Sequence, residues 1–108
     1  MKKDPYLFID HIRESIEAIE AYTQDVSREQ FLNDSQIQDA VCRRLEIIGE
    51  AANKLESEFT EKFPNIPWYE IIAMRNILIH EYFGVDSDQV WNTVQKDIPE
   101  LKRQLEKI

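Results

Sequence analysis

The 108-residue chain has one cysteine and two glycines, and no apolar run approaches the ~20 residues a membrane-crossing helix needs. A single cysteine, Cys42, excludes an internal disulfide and any cysteine-based zinc site, and its plain reading is a small helix-packing residue. No period-two alternation or hairpin signal is present, which excludes a sheet protein, and no repeat or low-complexity tract suggests a solenoid or a disordered tail. Basic residues are scarce as well: 13 against 21 acidic ones, for a formal charge of −8. A protein that grips nucleic acid by charge alone carries a basic excess, because displaced counterions supply much of the affinity. Any RNA contact here therefore has to come from a local patch, or from one assembled across two subunits. The acidity would also suit a basic protein partner. Met1-Lys2-Lys3 runs directly into Asp4-Pro5 without the apolar stretch of a signal peptide, so the expected location is cytoplasmic, away from membranes.

What is there is helical. Apolar residues make up 43% and charged residues 31%, the balance of a folded, helix-rich chain, and the length suits one domain over residues 1–108. Asp4-Pro5 is an N-cap acid followed by proline at the first helical position, and Ile9, Ile12, Ile16 and Ile19 then recur at helical spacing. This first helix is predicted to run to about Gln24. Ser27 with Gln30 has capping-box form and predicts a short turn carrying Phe31 and Leu32. A second box, Ser35 with Gln38, predicts the start of a long helix with Val41, Leu45, Ile48, Ala52, Leu55 and Phe59 as its core stripe. Ala40, Ile47 and Ala51 form a second apolar line, so this helix should pack on two sides. Gly49, in its middle, would together with Ala51 and Ala52 let another helix approach closely. Pro67 sets up a third helix over Trp68 to Phe83, apolar on nearly every side and therefore expected to be central, with Gly84 as its stop. Asp86 and Gln89 cap a fourth helix carrying Val90, Trp91 and Val94, which Pro99 should kink or break near Asp97 and Ile98. The expectation is an all-α, antiparallel, up-and-down bundle of four main helices, the last one kinked.

The third helix holds the chemistry. Its middle is nearly all hydrocarbon, yet it carries Arg75, Asn76 and His80. An unpaired buried charge costs several kcal/mol, so Arg75 must meet a carboxylate, reach solvent or line a cleft. Glu46 and Glu50, one turn apart on the second helix, are candidate supporting carboxylates; in the plain reading Arg75 is an interhelical ion pair. His80 has a plain reading too, as a group favoured by the dipole at a helix carboxyl end, and Tyr82 as an amphipathic residue in the last turn. At about 100° per residue, Asn76 and His80 lie on one face while Arg75 and Tyr82 lie along another, Arg75 and His80 being about 140° apart. They meet at one phosphate only if the arginine wraps round, the helix loosens, or a second subunit completes the site.

Arg75-Asn76-Ile77-Leu78-Ile79-His80 resembles the Arg-x4–6-His motif of HEPN domains, and Glu81-Tyr82-Phe83 continues it like the His-x-Tyr extension of the HepT-like branch. Leu45 to Ala52, Ile66-Pro67-Trp68, Met74-Arg75-Asn76 and Val90-Trp91 look like that branch in order and spacing, so the resemblance covers nearly the whole chain. It implies a homodimer whose motifs face a shared cleft, and a ribonuclease toxin that works without metal or cofactor. It also implies a minimal nucleotidyltransferase antitoxin as partner, which neutralises the toxin by transferring AMP to Tyr82.

The residue types suit such chemistry. A histidine near neutral pKa can take the proton of a 2′-hydroxyl or give one to a departing 5′-oxygen, and an arginine fork can stabilise a phosphorane. His80 is thus the expected general acid–base, Arg75 the transition-state clamp and Asn76 their support. Two rivals use the same bundle. One is a non-catalytic module that binds a nucleotide or a protein, including the case where this chain is the antitoxin of a toxic nucleotidyltransferase. The other is a purely structural adaptor, in which His80→Ala alters stability alone.

Overall fold

A computed structural model describes residues 4–80 and 86–108, and only the backbone of residues 74 and 76–80. Among the described residues every regular element is helical, which agrees with the all-α expectation. Asp4 caps α1 (Pro5–Thr23), its carboxylate accepting the Tyr6 N–H at 2.9 Å, with proline in the first turn as expected. Short α2 (Arg28–Leu32) begins with a complete capping box between Ser27 and Gln30.

The long helix α3 (Ser35–Asn53) corrects two expectations. Its cap is Asp34, whose carboxylate accepts the Ile37 N–H at 3.1 Å, and Ser35 is already helical. Gln38 does not reach back to close a box; its amide donates to the Phe31 carbonyl and ties α3 to α2. The helix also stops before Leu55 and Phe59. Lys54 and Leu55 donate to the Ala51 and Ala52 carbonyls, tightening the last turn, and Glu56 turns extended before α4 (Ser57–Thr60). Leu55 and Phe59 are nonetheless buried with Val41, Leu45, Ile48 and Ala52, so the stripe survives the break in the helix.

The direction of the helices can be read from contacts. The Tyr6 ring meets Phe59 edge-on at 5.7 Å, so the start of α1 lies beside the segment that follows α3. The final helix is α6 (Ser87–Asn92), a π-helical turn over Thr93–Asp97, and α7 (Ile98–Leu105). Arg13 donates to the Leu105 carbonyl at 3.0 Å, while Glu20, two turns on, accepts from Lys102 at 3.0 Å; climbing α1 means descending α7. The expected disturbance at Pro99 takes the form of the π turn. Pro99 offers no N–H to the Gln95 carbonyl and its ring crowds it, so the preceding turn widens, with Ile98 N–H bonded to Thr93 five residues back.

The central helix is α3, which packs against both α1 and α5 (Trp68–His80). That bears out the two-sided packing expected of this helix; the third main helix, expected to be central, is exposed at its start, and its side chains at 74 and 76–80 lie outside the described part of the structure. In the first two turns of α5, Ile71 is buried, Ile72 and Ala73 are half-buried, and Tyr69 is 85% exposed. The core instead forms where Ile9, Ile12, Ile16 and Ile19 of α1 meet the α3 stripe, closed by Val94, Ile98, Leu101 and Leu105. The expected helical stop at Gly84 lies outside the described residues.

Candidate functional site

The segment before α5 is pinned to the bundle. Ile66 is buried, the Trp68 indole N–H donates to the Phe63 carbonyl at 3.1 Å, and the Gln104 amide of α7 donates to the Asn65 carbonyl. The Pro67 carbonyl then accepts the Ile71 N–H at 3.1 Å and opens the helix. From this anchored start the backbone stays helical through His80.

Arg75 lies two turns along α5 and is half-buried, with its Nε out of solvent. The side of α5 that carries Ile71 and Arg75 rests on α3 at Gly49. A methyl group built at Gly49 would fall far inside van der Waals contact with Arg75 Cβ, 3.1 Å from the Ile71 carbonyl oxygen and 3.2 Å from Arg75 Cγ. The close approach expected at this glycine is therefore real, and its partner is the arginine of the motif. On the helix, positions 75 and 80 are separated by about 7.5 Å of axial rise.

Asn76 and His80 belong to the same α5 backbone, and their side chains lie outside the described part of the structure. Tyr82 lies outside the described residues altogether. Glu46 accepts from Arg43 one turn away at 3.2 Å, and Glu50 is exposed on α3. Cys42 is half-buried; burial first, and then the charges of Asp39 and Glu46, push its thiol pKa up to about 11. The plain reading of Cys42 as a packing residue fits that shift.

Tyr69 escaped notice in the sequence. At 100° per residue, positions 69, 73, 76 and 80 follow one another along one face of α5, and the 85% exposure of Tyr69 shows that this face begins in open solvent. The seven- and four-residue spacings to Asn76 and His80 were the available signal. Among the described residues no group of three or more His, Cys, Asp or Glu side chains could hold a metal ion, and no helix is long and apolar enough to cross a membrane.

A family model described as Ribonuclease HepT-like matches residues 12–108. A Methanocaldococcus jannaschii protein named for both a gamma-glutamylcyclotransferase and an RNase is 52% identical over the whole chain, which spans 49% of that protein's length. A second M. jannaschii protein, named for an RNase, is 44% identical over 97% of this chain and 96% of its own. The protein named probable ribonuclease HepT in Thermococcus cleftensis is 46% identical over 100% of this chain and 98% of its own. No solved structure matches the chain.

Proposed function

The chain belongs to the HepT-like ribonuclease family, and from that premise we propose that it is a metal-independent endoribonuclease, the toxin of a toxin–antitoxin pair. The observation that supports this reading is the setting of Arg75: a residue half-buried rather than sealed in the core, with Nε out of solvent, on the same helix as His80 five residues on. An arginine in that position can present its fork to a phosphate while its stem stays packed.

In the proposed reaction the 2′-oxygen attacks phosphorus as His80 takes its proton. Arg75 stabilises the charge that builds on the phosphorane oxygens. The P–O5′ bond then breaks, the imidazolium returns the proton to the departing 5′-oxygen, directly or through water, and a 2′,3′-cyclic phosphate remains. Asn76 orients His80 or holds a phosphate oxygen. A homodimer would bring a second copy of the motif to the same cleft, a source of the local positive charge that an acidic chain otherwise lacks. Tyr82 is the proposed acceptor of AMP from a minimal nucleotidyltransferase: a bulky anion two residues from His80 would block the cleft and repel RNA.

The test compares wild type with Arg75→Ala and His80→Ala, each checked for folding, in growth and RNA-cleavage assays run with and without EDTA. The reading requires toxicity and cleavage from wild type alone, a cyclic phosphate end, and insensitivity to chelator. Harmless expression of this chain beside a toxic nucleotidyltransferase would instead make it the antitoxin or a binding module. Mass analysis after co-expression decides the modification, because neutralisation with an unmodified Tyr82 excludes adenylylation.

A further inference from the structure

We propose that Gly49 is a positioning residue for Arg75: the bare backbone at this point of α3 lets α5 seat at the depth that delivers the guanidinium to the cleavage site. The inference rests on the role assigned to Arg75 above. Gly49 is buried in the middle of a 19-residue helix, where glycine costs about 1 kcal/mol against alanine. Helix formation alone therefore argues against it.

What the glycine permits is specific. The space its side chain would fill is taken by Arg75 Cβ, with Arg75 Cγ at 3.2 Å and the Ile71 carbonyl oxygen at 3.1 Å. None of these is the free end of a flexible side chain. Two are the first carbons of the arginine and the third is helix backbone, so relief at Gly49 has to come from movement of α5 as a whole. Carbon–carbon contact is optimal near 3.5–4.0 Å, which sets that movement on the order of 1 Å. Elsewhere α5 is tied through the Pro67–Trp68 entry to Phe63 and, through Asn65, to Gln104, so a push at Gly49 meets an anchored start and displaces the turn that carries Arg75.

A catalytic group misplaced by 1 Å costs on the order of 10²-fold in rate. Gly49→Ala is therefore expected to lower kcat about that much with KM little changed, since the rest of the RNA contact is retained. The comparison variant is Ala52→Gly, buried in the same helix and absent from the contacts at Gly49. It should lower the midpoint of thermal unfolding while keeping kcat wherever the protein is folded. A purely structural role for Gly49 predicts that both variants lose activity only in proportion to folding, and that result would overturn the proposal. So would a folded Gly49→Ala with the wild-type kcat while Arg75→Ala is inactive. Full activity in Arg75→Ala would instead remove the catalytic reading itself. If Gly49→Ala does not fold, the double variant Gly49→Ala/Arg75→Gly removes the colliding Cβ and should fold again; failure to do so overturns the seat contact.

Discussion

The rings of Phe31 and Trp91 stand 5.2 Å apart at an interplanar angle of 41°, joining the short helix α2 to α6. Phe31 is fully buried, although it sits in a helix of five residues that could not hold itself together in water. Its ring is thus the means by which α2 stays on the bundle. Phe31→Ala is expected to cost about 3–5 kcal/mol in urea unfolding, from lost transfer energy and the cavity left behind. Tyr69→Ala, at an exposed ring, should stay within about 0.5 kcal/mol.

Asp34, not Ser35, caps α3. Asp34→Ala should therefore cost about 1 kcal/mol, while Ser35→Ala, at the first helical position, should be close to neutral. Thermal unfolding of the two variants at neutral pH measures the difference.

The raised pKa of Cys42 has a definite sign. Below about pH 9 the thiol is protonated in both folded and unfolded chains and makes no difference to stability. As pH rises from 9 towards 11 the unfolded chain gives up the proton first, so the folded state loses stability across that window and the loss levels off above it. Cys42→Ala should remove this part of the alkaline slope. Iodoacetamide should label the native thiol at pH 8 more slowly than the urea-unfolded one; equal rates would contradict the burial that raises the pKa.

Arg75 and His80 should differ in how they tolerate replacement. His80→Ala is expected to lower kcat by about 10²–10⁴-fold, the range for a general acid–base, and Arg75→Ala by about 10²–10³-fold. Arg75→Lys keeps the charge but loses the fork, so it should recover only part of the rate. Single-turnover cleavage of an RNA substrate reads all three.

Much of the fold was legible because its signals are local. The cap at Asp4, the capping box at Ser27 and Gln30 and the apolar stripes of α1 and α3 each depend on residues within two turns of one another. The break of α3 after Asn53 was not legible, because Leu55 and Phe59 keep the periodic spacing while the backbone between them leaves the helix. The two-sided packing of α3 was legible in its second apolar line, Ala40, Ile47 and Ala51, while the hydrocarbon of α5 gave no sign that its first turn, at Tyr69, stands in solvent. For the site, the sequence named the residue types and their spacing on α5 and anticipated a close approach at Gly49. It could not say which residue approaches.

By itself, then, the sequence determined the helical class, the caps at Asp4 and Ser27, the apolar stripes and the motif from Arg75 to His80, since each is written in spacings of a few residues. Only the tertiary structure decided that the disturbance expected at Pro99 takes the form of a π turn, one of several local responses to the missing N–H, and that it is Arg75 that meets Gly49. The second outcome depends on which surfaces face one another across 26 residues of chain, and helical periodicity records that a face is apolar or small without recording what will cover it.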